Sequence, residues 1–498
     1  MRVLLAQAPS PIVNTSPPLG LGYLGAVLER AGHEVLILDG SAPYAEFTIE
    51  SMAREIARWE PDLVGLTLTI SFATHTYRLI KEIKGLIDVP IIVGGPHATL
   101  FPEEPLRFGA DMVFRGEAEE GMLEVIEYVE GRRRADEIAG LSYLNADGKP
   151  VHNPPRPPIR DLDSIPFPAK HLFIREHYYR VPSDSIRFGN IVTSRGCPFR
   201  CTYCANAALS RGWRARSPRN VVDEMKELME RYGTRKFNWF DDVATIDQNR
   251  MMEICQLIID EGLDVEWTCI TRVNAVSREL LRMMRRAGCV GVTYGIESGN
   301  PETLRRIRKG ITVEQAERAV KMTYEAGMDC YVNFMFGFPW EGPGDVRMTT
   351  KFIRQLSPYV TYIQPGGVLV PFPATQIYEE YKGEYGFEGW WLEEGEEDER
   401  DEPLFQRIFF DYRPLQRNWF RYPPEVVREI MRAAEVVGRH NLNYHAGKLT
   451  GNGFLRGLIR EAIYLLVLLT RSLYGLSRSL SIWVSKPFVK FAERYHGK

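Results

Sequence analysis

Apolar positions along this 498-residue chain follow two alternating rhythms. Short β-branched runs, apolar at successive positions, read as buried strands. Between them lie stretches where apolar residues return every three or four positions, as on one face of a helix. In the first part this pattern predicts strands at Val3–Ala6, Glu34–Leu38, Leu63–Thr69, Pro90–Val93 and Met112–Phe114. It predicts helices at Gly20–Ala31, Ile49–Trp59, Thr76–Ile87 and Glu119–Glu130. Such alternation argues for a doubly wound parallel sheet with helices on both faces. Ligands of these sheets sit at the carboxyl ends of the strands. Glycines fall there, at Asp39-Gly40, Gly65, Gly94-Gly95 and Gly116-Glu117, although a sheet without a ligand also places glycines at strand ends.

The rhythm stops at Lys149–Pro168, KPVHNPPRPPIRDLDSIPFP. Proline fixes φ and offers no N–H, so neither a helix nor a central strand is expected here. A semi-rigid connector running over the surface is. The alternation then resumes. Helices are predicted at Arg219–Tyr232, Asn249–Glu261, Ser277–Ala287, Val313–Ala326 and Gly344–Leu356. Strands are predicted at Lys236–Phe240, Val265–Thr271, Gly291–Gly295, Cys330–Phe336 and Tyr362–Val368. With the apolar run that starts at Ile191 these make six β/α units, which suits an open partial barrel better than a closed eight-fold one. Further on, Leu392–Glu402 is an acidic run read as a solvated loop, and a helix is predicted at Pro424–Gly438. The expected organisation is α/β throughout: a doubly wound domain at 1–140, a connector at 141–185, a partial (β/α)6 barrel at 186–375, and a mostly helical C-terminal region at 376–498.

Composition narrows the class. A net charge of −3 gives no reason to expect nucleic acid. The seven cysteines form no disulfide framework, so a reducing, cytoplasmic setting is expected. The N-terminus lacks the long apolar core of a signal peptide. No stretch reaches the roughly 18 uninterrupted apolar residues that a membrane span needs. The tail Gly453–Lys498 carries eight Lys or Arg against two Glu, together with Trp483, Phe488 and Phe491. Two readings stand for it. One is a basic amphipathic anchor at the inner face of the membrane, which would point to a lipid or polyisoprenoid substrate. The other is a helix packed on the barrel.

The chemistry concentrates in Ile191–Cys204, IVTSRGCPFRCTYC. Cys197, Cys201 and Cys204 share one short loop in a C-x3-C-x2-C spacing. Soft thiolates suit iron–sulfur chemistry, and three of them leave one corner of a four-iron cluster open to a ligand. Zinc would want four ligands, usually as two separated pairs, and no partner pair follows. Cys255, Cys289 and Cys330 read as core residues, whereas Cys269 could face a site.

This spacing, with Tyr203 before the last cysteine, resembles the signature of the radical S-adenosylmethionine (SAM) enzymes. In that family the open iron of a [4Fe-4S] cluster holds the amino and carboxylate groups of SAM, which one electron then cleaves to a hydrogen-abstracting radical. The resemblance covers the core from about Phe188 to Pro373 and implies SAM contacts from residues at the strand ends: Tyr203, Asp241, Asp242, Arg272, Glu297, Ser298 and Gly337. Arg272 could supply a cationic fork for the carboxylate, and Asp241, Asp242, Glu297 and Ser298 could accept from the ammonium and hydroxyls. Lys309-Gly310 reads as a helix C-cap.

PPLGLGYL (Pro17–Leu24), GHEVLILDG (Gly32–Gly40), GGPHAT (Gly94–Thr99) and RGEAEE (Arg115–Glu120) look like the cobalamin-binding domain found ahead of many radical-SAM modules. Gly94, Gly95, His97, Gly116 and Glu117 are the implied cobalamin contacts, with His75 a further candidate. The D-x-H-x-x-G motif of that domain is absent, and the loop Gln7–Pro18 has no His, which puts an imidazole ligand to cobalt in doubt. The resemblance implies functionalisation of an unactivated carbon, with C-methylation first, and an electron donor such as flavodoxin or ferredoxin. With no cysteine before Cys197 or after Cys330, a single cluster is expected. An anaerobic oxidative cyclase, or another carbon–carbon bond-forming member, is the alternative. A membrane-surface binding protein without chemistry is a third reading.

Overall fold

The structure, a computed structural model, describes residues 1–10, 14–179, 187–210, 212–364, 367–393, 417–449 and 462. The chain forms two compact units. One comprises Met1–Ile191, Ala208–Thr234 and the described residues from Gly389 to 393. The other comprises Val192–Ala207, Arg235–Glu388 and the described residues from 417 onward. The basic tail 453–498, apart from 462, and most of the acidic run lie outside the described residues.

The first unit holds a sheet of seven strands: β1 (Arg2–Gln7), β2 (Glu34–Asp39), β3 (Leu63–Thr67), β4 (Ile91–Gly94), β5 (Met112–Phe114), β6 (Leu141–Leu144) and β7 (Pro150–His152). Their order is β2-β1-β3-β4-β5-β6-β7. β1 to β5 run parallel. Val3, Leu4, Leu5 and Ala6 are all buried, as expected for a strand covered on both faces. The order reverses between β1 and β3, which makes the crevice where open α/β sheets bind ligands.

The connector departs from expectation in two ways. β6 and β7 extend the sheet as antiparallel strands, with β7 at its edge. Pro150 is tolerated because it stands first in an edge strand. The stretch also does not simply run over the surface, since Ile159, Leu162 and Ile165 are buried around Tyr23. Proline density hid three apolar residues that anchor the segment. In the helix Leu19–Arg30, Gly22 and Gly25 let the chain at 168–172 lie close. A Cβ on Gly25 would stand 2.7 Å from Leu172 Cδ1.

The second sheet has six strands: β8 (Asn190–Ile191), β9 (Lys236–Trp239), β10 (Glu266–Thr271), β11 (Cys289–Glu297), β12 (Asp329–Phe334) and β13 (Tyr362–Gln364). They lie in sequential order. Pairs from β9 to β13 are parallel, with helices at Gln248–Asp260, Arg278–Arg286, Val313–Glu325 and Pro343–Leu356 in the crossovers. Side chains alternate across each strand. One set packs under the helices: Trp267 Nε1 donates to Ala287 O at 2.8 Å, Tyr294 and Thr323 share a 2.8 Å hydrogen bond, and Phe334 meets Phe352 edge to face. The opposite set forms an open face, where Phe240 is 50% and Ile270 39% exposed. The helix Pro424–Leu449 runs past the predicted Gly438, and its buried Asn441 pairs with both backbone groups of Ile363, satisfying the edge strand β13.

Candidate active site

The cysteine loop of the second unit is pinned on several sides. Before it, Asp241 lies just beyond β9, 1% exposed. Its Oδ1 accepts from Thr193 N (2.9 Å), Ser194 Oγ (2.7 Å) and Ser194 N, and its Oδ2 from Thr193 Oγ1 (3.0 Å). Arg250 Nη2 adds a bond to Thr193 O at 2.8 Å. Gly196, at φ 87°, takes the left-handed turn into the loop. Within the loop, Thr202 N donates to Ile307 O and Ile377 N to Thr202 O, both at 3.0 Å. After it, Asn206 Nδ2 donates to Asp242 Oδ1 at 2.6 Å.

Cys201 is buried, and Cys197 and Cys204 are partly so. Burial pushes the Cys197 and Cys204 thiols up, and the neighbouring cysteines push the same way. Such a set discharges its protons when metal takes the sulfurs. Among the described residues, no three His, Cys, Asp or Glu side chains converge on one metal ion. A cluster spreads its thiolates over separate irons. The donor set, three soft sulfurs on one loop, therefore fits a cluster with one open iron.

Around the loop the predicted residues take different places. Arg272 is buried, with its guanidinium carbon 3.7 Å from the Phe199 ring centroid. Its Nη1 lies 3.8 Å from Cys201 Sγ, and its Nη2 donates to Lys309 O. Glu297 ends β11 at φ 72°, a left-handed conformation that side chains rarely adopt, beside a register shift against β12. Its Oε1 is 2.8 Å from Lys309 Nζ, and the same Nζ is 3.0 Å from Tyr203 Oη. Burial, then Glu297, keep the Tyr203 hydroxyl protonated. Ser298 Oγ is held by Thr349 and Asn300, and Gly337, at φ 79°, faces Tyr422 Oη, 2.7 Å from where a Cβ would stand. Burial raises the carboxyls of Asp241 and Asp242.

Lys309 escaped the sequence reading as a site residue. The helix Pro301–Arg306 is capped at Ile307, with Arg308 left-handed. Lys309, whose N–H closes the turn on Leu304 O, carries this buried ion pair; a Lys-Gly after a helix gives no sign of a tertiary partner. Glu341 accepts from Gly337 N and Phe338 N at 3.0 and 3.2 Å, and burial pushes it up to about 7. Cys269 is buried against Cys289.

In the first unit the strand ends converge as the topology requires. Asp39 accepts from Gln7 Nε2 (3.3 Å), Ser41 N (2.9 Å) and the Tyr178 hydroxyl, and burial lifts it to about 6. Gly95, at φ 102°, lies so close to Leu68 that a Cβ would stand 2.8 Å from its carbonyl oxygen. A Cβ at Gly116 would meet nothing within 4 Å. Glu117 pairs with Arg214 at 2.7 Å and accepts from Ile159 N at 2.7 Å. His97 is buried, with Nε2 2.8 Å from Glu104 and its ring against Phe101 and Trp391. His75 sits in the first turn of the helix Ala73–Leu86, its Nδ1 3.4 Å from Thr74 Oγ1. Gly94 and Gly116, where a Cβ would meet nothing closer than 3.9 Å, leave space at the ends of β4 and β5 for part of a large ligand, whereas Gly95 is packed against Leu68.

Fold and site together define an α/β protein with a three-cysteine loop on one unit and a switch-point crevice in the sheet of the other. Residues 191–353 match the Radical SAM superfamily and residues 10–126 the B12 binding domain. An uncharacterized methyltransferase, PH0819, of Pyrococcus horikoshii is 36% identical over 389 residues, covering 76% of this chain and 83% of that protein. The anaerobic magnesium-protoporphyrin IX monomethyl ester cyclase of Rubrivivax gelatinosus is 30% identical, with 74% and 67% covered. The hopanoid C-3 methylase of Methylococcus capsulatus is 27% identical, with 90% and 83% covered. The structure of the cobalamin-dependent SAM radical enzyme OxsB, with aqua-cobalamin and SAM bound, shares the fold at TM-score 0.67 and 17% identity, over 99% of this chain and 76% of that one. The chain belongs to the radical SAM family with an N-terminal B12-binding domain. Its domains are those for a [4Fe-4S] cluster with SAM and for cobalamin, and no described helix is long and apolar enough to cross a membrane.

Proposed function

We propose that this enzyme methylates an unactivated carbon, and that Cys197, Cys201 and Cys204 hold the cluster. When bound, the cluster and SAM supply a hydrogen-abstracting radical, and cobalamin supplies a methyl group. The observation that carries the reading is the cysteine loop anchored by Asp241, in a chain that also bears a B12-binding domain. Asp241, its oxygens taken by Thr193 and Ser194, acts by positioning the loop and not by touching SAM. Arg272, 3.8 Å from Cys201 Sγ, and the Lys309–Glu297 pair stand beside the cysteine loop, where Tyr203 and Glu297 would be candidate SAM contacts. Gly94, Gly95 and Gly116 would line the cobalamin crevice. His97, buried with its Nε2 engaged by Glu104, would support the end of β4 beside that crevice.

Similarity to the hopanoid methylase supports a lipid substrate, and similarity to the anaerobic cyclase supports the second reading, carbon–carbon bond formation without methyl transfer. The test is anaerobic turnover of the loaded enzyme with deuteromethyl-SAM, a one-electron protein donor and a panel of neutral triterpenes. Methylation predicts label in the product, with S-adenosylhomocysteine and 5′-deoxyadenosine formed in equal amounts. 5′-Deoxyadenosine together with a cyclised, unlabelled product would replace it with the second reading.

A further inference from the structure

We infer that the open face of the second sheet receives a neutral molecule with an apolar body and a hydroxyl or amide N–H, and that Asn333 accepts its hydrogen bond. The inference rests on the radical SAM reading and names the substrate class for that site.

Strand register arranges this face in rows. Ile270 stands beside Thr293, and Thr293 beside Tyr331, in one row; Gly295 stands beside Asn333 in the next row toward the cysteine loop. The first row is apolar or uncharged, and the exposure of Ile270 and Phe240 leaves hydrocarbon uncovered. Large uncovered apolar side chains on an inner strand face mark a ligand surface.

Charge on the face is confined to its ends, and each charge has a partner there. Lys236 and Glu266, at the strand starts, pair at 3.5 Å. At the other end Lys309 is taken by Glu297 and Tyr203, and Arg272 by Cys201, Phe199 and Lys309 O. Among the described residues, the rows between offer no cation to a phosphate or carboxylate. Bringing such a group here would strip its water without replacement.

Among the described residues, two further polar groups of this face are spent on neighbours, and one shielded oxygen is not. Asn238 Oδ1 accepts from Thr268 Oγ1 at 2.8 Å, and Tyr331 Oη donates to Asp329 at 3.3 Å. Asn333 Oδ1 is shielded from solvent and has no hydrogen-bond partner. A buried carbonyl oxygen without a donor is costly, and a ligand O–H or N–H satisfies it. In its row Asn333 stands beside Gly295, over which the Glu297–Lys309 pair closes: a Cβ there would stand 2.6 Å from Glu297 Oε1 and 3.0 Å from Lys309 Nζ, so Asn333 lies where the neutral rows meet the paired charges.

The test uses the reconstituted holoenzyme and three probes: a long-chain polyprenol, its monophosphate, and the parent hydrocarbon. Binding of each is measured by equilibrium dialysis, and SAM binding by calorimetry. The polyprenol is expected to bind about tenfold or more tighter than its monophosphate. Asn333→Leu should weaken the polyprenol about tenfold while leaving the hydrocarbon and SAM unchanged. Asn333→Gln, which keeps a neutral amide acceptor, should retain part of the polyprenol binding. Equal or tighter binding of the monophosphate overturns the inference. So does an Asn333→Leu variant that binds the polyprenol normally or loses SAM, and so does failure of all three probes to bind. 5′-Deoxyadenosine formation by the same preparation separates the two levels. Its absence with probe binding intact sinks the radical reading, and its presence without probe binding sinks only the substrate class.

Discussion

Asp241→Ala removes the acceptor beneath the start of the cysteine loop. Four hydrogen bonds end on its two oxygens. The hydroxyls of Thr193 and Ser194 can turn to other acceptors, but their backbone N–H groups cannot. Each buried donor left alone costs about 1–3 kcal/mol, so the two together cost about 2–6 kcal/mol. The lower half of that range is expected, because the variant no longer buries a carboxyl whose pKa burial already raises. Asp241→Asn keeps one oxygen for the two N–H groups, and the Thr193 hydroxyl can turn to accept from the new amide, so its loss should stay within about 1 kcal/mol. Urea unfolding of the iron-free protein, followed by fluorescence, reads the difference. Iron retained after anaerobic gel filtration reads the functional consequence, which should be poor for Ala and near wild type for Asn. An Asp241→Ala protein as stable as wild type, or an Asn variant that falls as far as Ala, would refute the positioning argument.

Other outcomes follow from the same geometry. Lys309→Met leaves Glu297 buried without its cation and should cost about 3–5 kcal/mol. Adding Glu297→Gln should recover part of it, and a single variant no weaker than the double would contradict the pairing. Glu341 is lifted by burial from 4.5 to about 7, so the folded state keeps a proton that the unfolded chain releases. Its stability contribution is full below the unfolded value and is lost as pH rises through about 7, on the order of 3 kcal/mol. Glu341→Gln should flatten the stability slope between about pH 5 and 7, and parallel denaturation curves would exclude that assignment. Arg272→Gln removes a cationic N–H beside Cys201 Sγ. Hydrogen bonds to cluster sulfurs set the reduction potential, so a redox titration monitored by electron paramagnetic resonance should give a more negative midpoint. An unchanged midpoint would mean that the arginine has no influence on the cluster.

The alternating β-branched and helical patterns made both sheets legible, because strands buried on both faces must be apolar along their length. The cysteine spacing was legible for the same kind of reason, since three cysteines on one loop are a local fact. What stayed hidden was tertiary. β7 was lost to proline, which an edge strand tolerates at its first position, and β6, LSYL, is too short to show a pattern. Lys309 looked like a cap because its partners, Glu297 and Tyr203, are 12 and 106 residues away. Asp241 was expected at the site because it stands at a strand end; that its oxygens hold Thr193 and Ser194 needed coordinates to see. Asn333 carried no motif at all, and only strand register and its unpartnered oxygen single it out.

The central claim is that Cys197, Cys201 and Cys204 hold one cluster that cleaves SAM. The most direct measurement is anaerobic reconstitution with iron, sulfide and cobalamin, followed by iron analysis and assay of 5′-deoxyadenosine, for the wild type and Cys201→Ala. The account predicts about four irons per chain, with 5′-deoxyadenosine formed, and both lost in the variant. Iron content indifferent to Cys201→Ala, or an iron-loaded wild type that leaves SAM uncleaved, would contradict it.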